Sequence, residues 1–158
     1  MLLGQNRIVA TDDAETDRYW RHVQNVQPSF SANYFNDDWL NNANAVVGLA
    51  NTGRGNTQLL SIEGEELVLR HYRRGGYASK LSEDRYFWRG LDAVRPFQEL
   101  AMLVHLAELK LPVSQPYAAE VVRSGASYSG SLITYLLPGT TLGEAFVNDQ
   151  MSPDLWHQ

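Results

Sequence analysis

The 158-residue chain contains no cysteine. Disulfides, thiolate metal sites and a cysteine nucleophile are therefore excluded, and a reducing compartment is the simplest setting. Long apolar runs are also missing. No stretch approaches the ~18 consecutive apolar residues that a membrane helix needs. The first residues, MLLGQNRIVATDDAETD, carry one arginine and reach two aspartates before any long apolar core, which is not the pattern of a signal peptide. The chain is expected to be soluble or peripheral to a membrane. Histidines are few and scattered (His22, His71, His105, His157), with no HExxH or similar ligand spacing, so metalloenzyme readings have little to start from.

What is present is ordinary in amount and uneven in distribution. A hydrophobic share of 44% argues against wholesale disorder, and the length suits one domain, or one domain with a tail. Thirteen bases against 18 acids give a net charge of −5. Between Arg70 and Arg95, however, seven bases (Arg70, Arg73, Arg74, Lys80, Arg85, Arg89, Arg95) face three acids (Glu83, Asp84, Asp92), so that stretch is +4 and the remainder −9. A basic island in an acidic protein points to an anionic ligand rather than to general nucleic-acid affinity, or else to a solvated loop.

Residues 1–44 are polar and rich in Asn, Asp and aromatics, and read as an extension packed on the main domain. Within them FNDDWLNNANA predicts a short helix capped by Asn36 or Asp37, with Trp39 and Leu40 on its buried side. From Ala45 the pattern changes. AVVGLANTGRGNTQLLSI reads as strand, glycine turn, strand; EGEE is a turn; LVLRHY is a third strand. Its period of two puts Val68, Arg70 and Tyr72 on one face and Leu67, Leu69 and His71 on the other. RRGGYASKLSEDRYFWRGLDAV is a long connection whose second half has helical character. RPFQELAMLVHLAELKL is the clearest helix: Pro96 suits its first turn, and Phe97, Leu100, Val104 and Ala107 form an apolar stripe widened by Leu103 and Leu106. YAAEVVR and SLITYLL, separated by SGASYSG, predict an antiparallel hairpin, after which PGTTLGEAF turns out of the sheet. The expected fold class is α+β: a five-stranded antiparallel sheet in the order β-β-β-α-β-β with one main helix against it, plus the N-terminal extension. The expected divisions are 1–44, 45–139 and 140–158. Ser152-Pro153-Asp154 has the residues of a helix start, so the last segment reads as the beginning of a further helical unit.

Three features are candidates for chemistry. Gly53-Arg54-Gly55 is a glycine turn whose backbone N–H groups can approach phosphate oxygens. It has neither the lysine of a Walker A loop nor the following helix of a dinucleotide fingerprint. Arg70 is a long cation on a strand face beside apolar Val68. Glu99, early in the main helix, could ion-pair with Arg70 and orient it. Each has a purely structural counterpart: most such turns are only turns, a single strand arginine often has its head in solvent, and an acid near a helix N-terminus is favoured by the dipole alone. The order is the informative part. A glycine hairpin, a strand cation, a helix glutamate and two further strands follow one another as in the amino-terminal lobe of a protein kinase.

Within that order, GRGNT, LVLRHYRRGG, DRYFWRG, RPFQELAML, LPVSQPYAAEV and SLITYLLPG together resemble the bacterial 3-deoxy-D-manno-octulosonic acid (Kdo) kinases of the lipopolysaccharide core Kdo/heptose kinase family. The resemblance covers roughly residues 34–145. LRHYRRGG is its most specific part, because arginine stands where most kinases have lysine. The resemblance implies a protein-kinase-like fold and an enzyme, a phosphotransferase with an alcohol-group acceptor. It implies use of ATP and Mg²⁺ to phosphorylate the Kdo sugar of lipid A precursors at the cytoplasmic face of the inner membrane, with peripheral attachment. It implies that Gly53, Arg54 and Gly55 cover the phosphates, Arg70 holds the α/β-phosphates, and Glu99 is its helix partner. It further implies that Val68 roofs the adenine, Ile133 is the gatekeeper, and Thr134 and Leu136 offer hinge C=O and N–H groups. Arg73, Arg74 and Lys80 are the implied contacts to the acidic sugar or lipid phosphates. One departure matters: no HRD-like or DFG-like segment occurs, so the catalytic Asp and the Mg²⁺-binding Asp of a kinase are not found in these residues. The catalytic base is expected beyond Gln158. The chain looks like the nucleotide-binding lobe alone, expected to be inactive by itself. A heptose kinase of the same family, and a non-catalytic module using the basic island to dock an anionic partner, are the alternatives; nucleic-acid binding is not expected.

Overall fold

Alternation builds the centre of the sheet. In the strand Glu65–His71, Leu67 and Leu69 are fully buried while Arg70 on the opposite face is exposed, as the period of two requires. The computed structural model describes residues 7–50, 57–72, 86–137 and 139. Within them lie β1 (Ile8–Asp13), β2 (Arg18–Val23), α1 (Asp37–Asn42), β3 (Val46–Ala50), β4 (Thr57–Ile62), β5 (Glu65–His71), β6 (Tyr86–Phe87), α2 (Arg95–Glu108), β7 (Pro116–Ser124) and β8 (Ser127–Tyr135). The eight strands form one antiparallel sheet in the order β1-β2-β7-β8-β5-β4-β3, with β6 attached to β8.

The expected β-β-β-α-β-β order is present as β3, β4, β5, α2, β7 and β8, but five strands was too few. The segment read as a polar extension contributes β1 and β2, and β2 pairs with β7, placing Trp20 opposite Glu120. These strands carry charged residues at outward positions, and only Trp20 and Val23 are buried. The second half of the long connection is not an α-helix where it is described: it holds β6 and a single 3₁₀ turn at Leu91–Ala93. The hairpin between β7 and β8 is tighter than expected. Gly125 takes a positive φ of 62° and β8 begins at Ser127, so Tyr128 to Gly130 are strand rather than turn. The glycine turn 53–55 and the basic residues Arg73, Arg74 and Lys80 lie outside the described residues. So does the segment 140–158, on which the helix start expected at Ser152 falls.

The short helix α1 forms as expected. The Asn36 side chain accepts from the Trp39 N–H at 3.0 Å, Asp37 and Asp38 occupy the first turn, and Leu40 is fully buried. In α2, Pro96, Leu100 and Val104 are buried, and the helix packs on β7 and β8. Its start is tied down by the Arg95 N–H, which donates to the Tyr128 hydroxyl at 3.1 Å. Gly130 on β8 faces it: a Cβ there would collide with the Pro96 ring and lie 3.1 Å from the Glu120 carbonyl oxygen. On β7, Glu120 is only 5% exposed. Its carboxylate accepts from the Trp20 indole N–H at 3.1 Å and from Arg18 at 3.2 Å. Burial pushes the carboxyl up to about 7, against the pull of Arg18 and Trp20.

Candidate functional site

The antiparallel register between β5 and β8 sets Val68 opposite Thr134 and Arg70 opposite Leu132. Cross-strand partners share a face, so these four side chains lie together, beneath the first turns of α2. They border a cleft of about 340 Å³ whose wall also includes Glu99, Leu136 and Leu137. This is the lower range of small-molecule sites. One end is apolar and the other carries a cation.

Arg70 reaches from β5 to Glu99 on α2, where its Nη2 donates to Oε1. The other carboxylate oxygen, Oε2, accepts from the Tyr72 hydroxyl. Tyr72 also lies under Arg70: the guanidinium carbon stands 5.2 Å from the ring centroid, and Nη2 is 3.5 Å from the phenol oxygen. Burial works against the charge on Arg70, yet the bonds to Glu99 and Tyr72 outweigh it and hold its pKa above the ordinary value. The Tyr72 phenol is raised well above the usual tyrosine range, first by burial and then by its bond to Glu99.

Of the residues singled out from the sequence, Val68, Arg70, Glu99, Thr134 and Leu136 are brought together in this cleft. Two assignments are corrected. Ile133 is fully buried on the other face of β8, opposite Leu69; Leu132 lines the cleft in its place. The Leu136 N–H is not a free hinge donor, because it donates to the Glu66 C=O at 2.9 Å. Together with the Tyr72 N–H, which donates to the Gly130 C=O at 2.9 Å, this fixes the alternation of bonded pairs along β5 and β8, and puts Thr134 in a bonded pair with Val68. Tyr72 was not among the expected site residues, although the same period of two that selected Arg70 placed Tyr72 on its face.

A second cleft, of about 400 Å³, lies between the β1–β2 hairpin and the start of α2, lined by Ile8, Arg21, Asp92 and Phe97 among others. It is the larger of the two, and its Arg21 pairs with Asp12 at 2.6 Å and lies 4.9 Å over the Phe97 ring. None of the residues expected from the sequence border it. The residues expected from the sequence gather at the smaller cleft. Among the described residues no group of three or more His, Asp or Glu is arranged to hold a metal.

The model of the lipopolysaccharide kinase (Kdo/WaaP) family matches residues 37–156, a span that includes every described residue of the smaller cleft. The chain belongs to that family. Among curated relatives, a 3-deoxy-D-manno-octulosonic acid kinase of Vibrio parahaemolyticus serotype O3:K6 (strain RIMD 2210633) is 33% identical over 132 residues, covering 84% of this chain and 53% of that protein. A protein of the same name from Stenotrophomonas maltophilia (strain K279a) is 41% identical over 87 residues, 55% of this chain and 35% of its own length. One from Vibrio cholerae serotype O1 (strain ATCC 39315 / El Tor Inaba N16961) is 35% identical over 118 residues, with 72% and 49% covered. The chain thus spans from about a third to about half of the length of these family members. No solved structure matches it.

Proposed function

We propose that this chain is the nucleotide-facing half of an ATP-dependent kinase that phosphorylates the Kdo sugar of lipid A precursors. The observation that carries this reading is the Arg70–Glu99 pair at the charged end of an otherwise apolar cleft. Phosphoryl transfer is catalysed mainly by positioning and by electrostatic stabilisation. A guanidinium that gives one edge to a carboxylate keeps further N–H donors for α/β-phosphate oxygens. Val68, Leu132 and Leu136 offer the flat apolar contact an adenine ring needs. Because the Leu136 N–H is committed to β5, the adenine edge is read by backbone beyond the last ladder bond, at Leu137.

Among the described residues Glu99 is the one acid of the cleft wall, and it is engaged by Arg70 and Tyr72. These residues give Mg²⁺ no ligand set, and its site is not assigned to them. Nor do the 158 residues contain a catalytic-loop motif. The chain alone is therefore expected to bind nucleotide and not to turn it over. Transfer of radiolabelled phosphate to Kdo-lipid A by the 158 residues would overturn the division of labour proposed here. The acceptor's membrane anchor and the cytoplasmic supply of ATP speak for a reaction at the inner face of the bacterial inner membrane, with peripheral attachment. Sequence favours Kdo over heptose as acceptor through the RHYRRGG run, and the relatives found share that preference in name.

Arg70→Ala is expected to weaken ATP binding about tenfold, the effect of losing one charge-assisted hydrogen bond to phosphate. Isothermal titration checks it. Unchanged affinity would show that the strand cation does not face the phosphates.

A further inference from the structure

We propose that Tyr72 is a positioning residue of this site: its phenol fixes the Glu99 carboxylate so that Arg70 is held aimed along the cleft. The inference rests on the nucleotide reading of the cleft and adds a third member to its charged pair.

The ion pair by itself is a poor aiming device. Its side chains are 46% exposed on Arg70 and 39% on Glu99. Half-exposed pairs of long side chains hold one geometry weakly, because each must give up several rotatable bonds and water competes for both charges. Tyr72 has what the pair lacks. Its ring packs against the core cluster that includes Leu69 and Leu100, it has only two side-chain torsions, and its backbone N–H is bonded to Gly130 at 2.9 Å. A rigid donor anchored in the sheet therefore takes the free oxygen of Glu99.

The same ring then acts on Arg70 from a second direction. The guanidinium stands over it at 5.2 Å, the arrangement in which the negative face of an aromatic attracts a cation. Glu99 is thereby held at one oxygen by Tyr72 and at the other by Arg70, while Arg70 is held by a carboxylate and a ring face together. With its pKa raised by burial and by Glu99, the phenol keeps its proton throughout the neutral range, so the donation to Glu99 persists. The arrangement also gives a physical reason for arginine on this strand. An ammonium has no plane to lay on the ring, and no fork from which one edge goes to Glu99 while another stays free.

The experiment is a double-mutant cycle read by ATP titration calorimetry and by the NMR signal of the Arg70 Nε–H in the 158-residue chain. Tyr72→Phe removes one oxygen and is expected to weaken ATP binding by about three- to tenfold, and to broaden the Arg70 Nε–H signal, with the melting temperature nearly unchanged. Glu99→Gln keeps the side chain's length and reads the same hydrogen bond from its other end. The double variant is expected to bind no worse than Glu99→Gln alone, because both substitutions break one chain of contacts. Strict additivity, or an unchanged affinity and Arg70 signal in Tyr72→Phe, would overturn the positioning role. Arg70→Ala separates the two readings. If it leaves ATP affinity unchanged, the nucleotide assignment fails, while the NMR signal of the parent and Tyr72→Phe chains still reports whether Tyr72 holds Arg70 in place.

Discussion

A methyl group at position 130 is expected to cost this fold about 2 kcal/mol and to lower its melting temperature by roughly 4–8 °C. Gly130 is buried in the middle of β8, and a Cβ there would run into the Pro96 ring, with the Glu120 carbonyl oxygen only 3.1 Å away. Neither neighbour is the free end of a flexible chain. Pro96 is locked into the first turn of α2, whose entry is held by Tyr128, and the carbonyl belongs to the adjoining strand. Accommodation therefore means lifting the beginning of α2 off the sheet. Glu99 lies in the next residues of that helix and Tyr72 hangs from the Gly130 carbonyl, so Gly130→Ala is expected to loosen the Arg70–Glu99–Tyr72 contacts and weaken ATP binding as well. Thermal melting followed by circular dichroism, with ATP titration, checks both. Pro96→Ala in the same chain removes the ring and is expected to restore part of the loss. Gly125→Ala serves as the contrast: with φ at 62° and open space around it, it strains the turn without reaching α2, so it is expected to lower stability and leave ATP affinity alone. A Gly130→Ala chain that melts like the parent would show that the helix is not seated against this glycine.

Much of the cleft was legible from LVLRHY. Two-residue alternation alone put Leu67 and Leu69 on one face and Val68 and Arg70 on the other, and the fold buries the first of these faces. The 3.6-residue stripe of α2 was legible for the same reason. The gatekeeper was not legible in this way. Ile133 came from the resemblance and not from periodicity, and the register with β5 sets it opposite Leu69 on the buried face while Leu132 stands opposite Arg70. The N-terminal hairpin was hidden by a different cause. Its strands carry charge where they face solvent, and their partner β7 follows far along the chain, so nothing local announces the pairing of Trp20 with Glu120. Tyr72 was in plain view on the Arg70 face. Its role was missed because a tyrosine at the end of a strand usually only packs, and the carboxylate it serves lies on another element.

The buried carboxyl of Glu120 should leave its mark on stability as a function of pH. Its pKa is raised from 4.5 to about 7 in the fold, by burial above all. Between those values the folded chain binds more protons than the unfolded one, so stability falls as pH rises. The penalty is absent below about pH 4.5, grows through the interval, and is complete above about pH 7. The shift of roughly 2.5 units corresponds to about 3 kcal/mol at full ionisation. Glu120→Gln removes the titration while its amide oxygen still accepts from the Trp20 indole; it gives up the pair with Arg18, which stays half in water and can be solvated. The parent and the Glu120→Gln chain are therefore expected to be about equally stable at pH 5. By pH 8 the Glu120→Gln chain is expected to be the more stable, by up to about 3 kcal/mol. Asp13 carries the opposite shift, lowered chiefly by its hydrogen bond from Thr16, but it titrates at more acid pH and is common to both chains, so it drops out of the difference. Urea unfolding at pH 5, 6, 7 and 8 gives the comparison directly. Parallel curves would mean that Arg18 and Trp20 fully compensate the burial. Divergence would mean that the joint between the β1–β2 hairpin and the strand bearing α2 tightens as the carboxyl takes up its proton.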